Sequence, residues 1–294
     1  MINMKLFGEE KGKLEEFFTS IIFEGPLAST IKVENIDVVK EVTLEITPLE
    51  DKTHVGCRMF DHVTRQNVFL DVSFFADIPG DLKEEIVISF KSARLIRDIV
   101  KSFPQGETIF FILNEAENGV IIKDVNDVVV IEEPLIPTEQ IIAYDVDSSS
   151  MMNLNGEFPK IGEDKNFNVL IKTDLAPLRV IEKLSKTLSS PRMFVKISGK
   201  NVFLMSTDFD NLRKNMFKAT NDELYVLEGD KWVAGQCSGE NMYPIGIVPA
   251  IKMLDEASIF FRCVGNTKLE QIVFVGKRND INKTYFIGAQ KKNE

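Results

Sequence analysis

Apolar positions along the chain switch between helical and strand-like spacing, and the order of the switches predicts its elements. Over residues 11–22, KGKLEEFFTSII, the set Leu14, Phe17, Phe18 and Ile21 recurs at helical spacing. Four strand-like runs follow, VKEVTLEITP, THVGCRMFDH, QNVFLDVSFF and EEIVISF, separated by polar or Gly/Pro turns such as LEDK and IPGD. A second helix is predicted over residues 91–103, KSARLIRDIVKSF, with Ala93, Leu95, Ile96, Ile99 and Val100 turned to a sheet. Three short runs rich in β-branched residues then read as strands joined by tight turns: ETIFFILNE, NGVIIKDV and NDVVVIEE.

The same order returns further on. NFNVLIKT reads as a strand, and residues 174–188, DLAPLRVIEKLSKTL, as a helix with Asp174 as N-cap and a proline in its first turn. RMFVKISG, NVFLMSTD and NLRKNMFKA are strand-like, the first two joined by a hairpin at residues 199–201. ELYVLEGDKWVAGQ reads as a further pair of strands, and the segment 222–241, with Trp232, has no counterpart in the first copy. A short helix over residues 248–257, VPAIKMLDEA, leads into the strands SIFFRCVG, LEQIVFVGK and KTYFIGA. Phe110 and Phe111 are echoed by Phe260 and Phe261 at an offset of 150 residues. Strand, helix and three strands thus close both halves, which predicts a duplicated α+β plan with helices on antiparallel sheet.

Between the copies lies PLIPTEQIIAYDVDSSS, with the proline and serine content of a connector. A solvated tether has no reason to carry Leu135, Ile136, Ile141, Ile142 and Tyr144, so this segment is expected to lie against a domain surface. The expected divisions are residues 1–134, a connector at 135–154 and residues 155–294.

Composition narrows the function. With 44% hydrophobic and 27% charged residues in 294, the chain has the make-up of a globular protein. No apolar run approaches the length of a membrane span, and the start reaches acidic residues too early for a signal peptide, so a cytoplasmic location without secretion or membrane attachment is expected. Three dispersed cysteines and two histidines argue against both a disulfide framework and a structural zinc site. No phosphate loop, dinucleotide fingerprint, zinc-protease helix or nucleophile elbow occurs, and acidic pairs such as Glu9/Glu10, Asp222/Glu223 and Asp255/Glu256 read as solvated turns. No catalytic residue, metal or cofactor is expected, and binding is the stronger class.

Charge supplies the most informative pattern. The net charge is −10, yet residues 1–147 carry −14 and residues 148–294 carry +4. Lys91, Arg94, Arg97 and Lys101 stand on the outward side of the second helix. Arg179, Lys183 and Lys186 form one line along the helix that opens the second copy, and Lys252 lies on the short fourth helix. Helix exteriors in an acidic chain should be acidic at least as often as basic, whereas these two helices expose seven Lys/Arg against Asp98 and Glu182. Such faces suit phosphate contact without base reading. The first helix, with Lys11 and Lys13 beside Glu15 and Glu16, departs from the pattern.

This arrangement resembles the DNA sliding clamps, the ring family that includes proliferating cell nuclear antigen and the processivity clamps of phages and large viruses. The resemblance rests on topology, with residues 86–131 and 245–289 matching the later part of the clamp domain and 175–218 its beginning. It implies duplicated domains, each with two helices on curved antiparallel sheets. It implies a homotrimer encircling double-stranded DNA without sequence specificity, the basic helices lining the hole. DNA polymerase and a clamp loader would dock through short hydrophobic peptides, in a pocket between the connector (Leu135, Ile136, Ile141, Ile142, Tyr144) and the last strand (Tyr285, Ile287). NGVIIKDV and NLRKNMFKA are the expected ring-closing edges. A viral shell or assembly protein, and a metal-dependent enzyme on the same scaffold, are the competing readings.

Overall fold

The computed structural model describes residues 3–22, 42–60, 68–136, 160–161, 165–173, 192–207, 214–220, 224–229, 231–244, 254–265 and 267–288. In the first half, β1 (Asn3–Glu10) is followed by α1 (Lys11–Ser20), β2 (Val42–Pro48), β3 (Thr53–Phe60), β4 (Val68–Ala76), β5 (Ile78–Pro79), β6 (Ile86–Phe90), α2 (Ala93–Ser102), β7 (Thr108–Asn114), β8 (Gly119–Asp124) and β9 (Val130–Pro134). A small hairpin, β10 (Lys160–Ile161) with β11 (Lys165–Asn166), precedes β12 (Val169–Thr173), β13 (Arg192–Gly199), β14 (Asn201–Thr207) and β15 (Lys214–Thr220). The chain continues through β16 (Leu224–Glu228), β17 (Lys231–Ala234), β18 (Cys237–Pro244), β19 (Glu256–Val264), β20 (Lys268–Arg278) and β21 (Ile281–Gly288).

The strand order repeats. One sheet runs β1-β7-β8-β9, and its counterpart in the second half runs β12-β19-β20-β21. The other runs β6-β2-β3-β4, answered by β18-β13-β14-β15. Phe110 and Phe111 pair across β7 with Gly8 and Phe7, as Phe260 and Phe261 pair across β19 with Leu170 and Val169, so the echoed phenylalanines occupy equivalent places. The hairpin β16-β17 adds to the free side of β12, where β5 adds to β1 in the first half, and this is where the unmatched segment around Trp232 belongs.

The halves meet where β21 pairs antiparallel with β4, from Ile287↔Val68 to Asn282↔Ser73, so one sheet continues across the junction. α1 and α2 cover one face of the first half. Their buried Leu14, Phe17, Phe18, Ala93, Ile96 and Val100 join Phe7, Phe74 and Phe111 in a core shared with the sheet. This is α+β architecture with two helices packed on curved antiparallel sheets. The helices expected over 174–188 and most of 248–257 fall outside the described residues, although Glu256 and Ala257 already belong to β19.

Two local corrections have clear causes. Helical spacing puts Leu95 on the apolar face of α2, but it is 43% exposed, because Ile96 and Val100 fill the inward positions together with Ala93. NGVIIKDV is no edge: β8 lies between β7 and β9, and β9 ends this side of the sheet among the described residues.

Candidate functional site

The start of α2 is set locally. Ser92 is extended and its Oγ accepts from the Leu95 amide at 3.1 Å, an N-cap that satisfies one otherwise orphaned donor. Arg94 then projects from the exposed side with no ion pair to another described residue. Arg97 folds back on its neighbour, Nε and Nη2 donating to Asp98 Oδ1 at 3.0 and 2.8 Å. Lys101 stands 3.6 Å from Glu15 of α1. Lys91 is exposed at the foot of the helix, and its charge partly offsets the burial that raises the Glu133 carboxyl above its usual range. The structure thus brings Lys91, Arg94, Arg97 and Lys101 onto one helix exterior, with Arg94 the least neutralised.

α1 contributes no matching basic face, for a structural reason. Lys11 is buried and its Nζ donates to the carbonyls of Lys101 and Phe103, at 3.0 and 2.5 Å, holding the negative end of the α2 dipole. Lys13 pairs with Glu9 at 2.8 Å and Asp77 at 3.4 Å. Glu9, a solvated acid by its sequence context, is in fact fully buried and accepts from the Glu10 and Asp77 amides, with burial raising its carboxyl. Charges near the start of α1 therefore hold the fold together. Arg179, Lys183, Lys186 and Lys252 lie outside the described residues.

The first two residues of the expected connector lie against protein. The amide of Leu135 donates to Asn118 and that of Ile136 to Ser89, both at 2.9 Å, and both side chains are buried. Ile141, Ile142 and Tyr144 fall outside the described residues. Tyr285 and Ile287 require a correction: both are at 0% exposure on the helix side of β21, where the Tyr285 hydroxyl donates to the Ser20 carbonyl at 3.1 Å. A side chain with no accessible surface offers no wall to a peptide.

The opposite face of this sheet carries what sequence reasoning missed. Tyr225, Leu170, Phe260, Val273, Phe286 and Phe69 stand in one cross-strand row over β16, β12, β19, β20, β21 and β4. Trp232 lies over Phe260 with ring centroids 5.9 Å apart, and Phe167 lies 6.4 Å from Phe286. A signal was present: strands such as SIFFRC and TYFIG are apolar at consecutive positions, which means both faces are covered. Beyond this row, Arg58 bridges Glu45 and Asp71, each at 3.5 Å, across β2, β3 and β4.

Among the described residues no group of three or more His, Cys, Asp or Glu side chains is placed to hold a metal ion, and no helix is long and apolar enough to cross a membrane. No protein-family model and no curated protein sequence matches the chain. Solved structures match it in fold. A. fulgidus PCNA bound to the C-terminal region of FEN-1 aligns over 100% of both chains with a TM-score of 0.64 and 13% identity. The PCNA2–PCNA3 complex of Sulfolobus tokodaii aligns over 98% of this chain and 99% of that one, at 0.62 and 12%. The proliferating cellular nuclear antigen of Entamoeba histolytica aligns over 98% of both, at 0.62 and 8%. The chain has the fold of the DNA sliding clamps.

Proposed function

We propose that this chain is a DNA sliding clamp that closes into a ring of three subunits around duplex DNA and tethers a polymerase. The observation that carries the reading is the whole-chain likeness: the clamp structures are covered almost end to end. The repeated strand order supports divisions at 1–134, 135–154 and 155–294, the middle segment serving as connector.

Ring closure needs two complementary edges, and the two sheets end on unpaired sides. β9 pairs with β8 alone and β15 with β14 alone among the described residues. Pairing one with the other between subunits extends the sheet around the ring and removes both edges. Inside the ring, α2 presents Lys91, Arg94, Arg97 and Lys101, and the helix predicted over 174–188 adds Arg179, Lys183 and Lys186, with Lys252 nearby. A ring needs only weak, screened attraction to phosphates, since topology provides retention. No reacting group is called for.

The FEN-1 segment bound to the A. fulgidus protein supports a short peptide as the mode of partner docking here. The connector residues Leu135, Ile136, Ile141, Ile142 and Tyr144 are one wall of the groove in this reading. Phe286, the half-buried member of the apolar row on the last strand, replaces Tyr285 and Ile287 as the other. Polymerase and loader peptides with one or two hydrophobic anchors fit such a groove.

The test is topological. Protein loaded onto nicked circular DNA should stay bound through high salt and be released when the circle is cut. Light scattering should give a mass of about 100 kDa, three subunits of a closed ring. Equal retention on circular and open linear DNA would overturn the reading.

A further inference from the structure

Three features of the second half set Cys263 against β18, the strand that carries Cys237. β19 carries a register irregularity between Arg262 and Cys263, of the kind that re-aims a side chain. Asn168 then clamps the displaced residue, its Nδ2 donating to the Cys263 carbonyl and its Oδ1 accepting from the Cys263 amide, both at 2.8 Å. On the facing strand Gly239 leaves the necessary room, since a Cβ there would sit 3.2 Å from Cys263 Sγ. The sulfur fills that space, 3.3 Å from the Ser238 carbonyl and in hydrogen-bonding contact with the thiol of Cys237.

The location gives this pairing a consequence. β18 and β19 do not pair with each other; β18 reaches this sheet through the single parallel pair Glu240↔Lys268 with β20. The two sheets of the second half are therefore joined weakly at this seam. Cys237 and Cys263 retain 5% and 7% exposure, while Cys57 in β3 has none.

We propose that Cys237 and Cys263 form an oxidation site that closes, on exposure to a peroxide, into a disulfide stapling β18 to β19. Cys263 Sγ gives up its proton and attacks one peroxide oxygen. The O–O bond breaks, a sulfenic acid forms on Cys263, and the departing hydroxide takes the proton as water. Cys237 Sγ then attacks the Cys263 sulfur, the S–O bond breaks, and the hydroxide leaves as a second water with the Cys237 proton. Two sulfurs are each oxidised by one electron, and the peroxide is reduced by two. This assignment is independent of the clamp reading, because it concerns a seam within one half.

The experiment treats the native full-length chain with hydrogen peroxide, blocks remaining thiols with N-ethylmaleimide in denaturant, and maps peptides without reduction. The expected result is one cross-linked 237–263 peptide pair, Cys57 alkylated in full, and a thermal midpoint raised by several degrees that returns with dithiothreitol. Cys263→Ser should keep the fold, by circular dichroism, and abolish the cross-link. Cys237→Ser should leave Cys263 open to a sulfenic-acid probe. Recovery of all three cysteines as alkylated thiols, or cross-links only between chains, would overturn the proposal.

Discussion

Lys283 of β21 donates to Glu16 of α1 at 2.5 Å, a buried ion pair that ties the first helix of the chain to its last strand. Asn279 also donates to Glu16, and Arg278 lies 3.8 Å away. The Lys283 side chain has no accessible surface, so burial lowers its pKa and Glu16 works against that shift. With the β4–β21 pairing and the bond from Tyr285 to Ser20, this ion pair holds the two halves together.

Breaking the pair should therefore cost far more than removing it. Glu16→Ala leaves an ammonium buried without its counter-charge and should destabilise the chain by about 3–5 kcal/mol. Glu16→Leu combined with Lys283→Met should recover most of that loss. Urea unfolding of the two singles and the double closes the cycle, and additive effects would mean the pair is not coupled.

Within α2 the three basic residues Arg94, Arg97 and Lys101 should not contribute equally to DNA binding. Arg97 is held by Asp98 and Lys101 lies near Glu15, so Arg94 carries the freest charge. Arg94→Ala should weaken retention most and lower the slope of log K against log salt by about 0.9 for each phosphate it no longer neutralises, while Asp98→Ala should strengthen retention. Titration of a fluorescent duplex across a salt series measures both. An Arg94→Ala slope equal to that of the parent would remove α2 from the interface.

The sequence made some of this legible and concealed the rest for physical reasons. α2 was readable because Ala93, Ile96 and Val100 recur at helical spacing, whereas its Ser92 cap came only with the structure. The duplication was readable because Phe110/Phe111 and Phe260/Phe261 serve the same strand position. The facing of β21 was not, since Tyr285, Phe286 and Ile287 are apolar in succession and a period of two cannot say which side meets the helices. Nor could the roles of Lys11 and Glu9 be read: a buried lysine or glutamate looks like a surface one until its partners, here 92 and 68 residues away, are in place. The edge at β9 was hidden for a related reason, because NGVIIKDV and NDVVVIEE are equally strand-like and only pairing order distinguishes them.

Asp71 predicts a pH dependence of stability. Burial raises its carboxyl above the usual 3.8, with Arg58 opposing. The folded state then binds more protons than the unfolded state between the two values, so this group's contribution is fully present below the unfolded pKa and is lost as pH rises through the folded one. Asp71→Asn removes that titration. Urea midpoints taken from pH 4 to 7 should show the variant gaining on the parent as pH rises, and parallel profiles would show that Asp71 titrates normally.

The proposed ring closure predicts that charge governs assembly. β9 carries exposed Glu132 and, beside it, Val128 and Val130 at 77% and 55% exposure, an apolar acidic edge that a monomer leaves in water. β15 bears Lys214 and Lys218 at register positions opposite Thr207 and Phe203 of its inner neighbour, and it is basic where β9 is acidic. Like charges set against each other across a strand pair are unfavourable, and opposite charges both favour the pairing and orient it. Glu132→Lys alone, or Lys214→Glu with Lys218→Glu, should therefore raise the concentration needed for assembly by about tenfold or more, equivalent to about 1.4 kcal/mol. A chain carrying all three reversals should assemble again, because each subunit then offers a basic β9 to an acidic β15. Light scattering over a dilution series at low salt measures the three cases. Unchanged assembly in the single-edge variants would mean that the subunits meet through some other surface, whereas failure of the triple variant alone would mean that the two edges do not face each other.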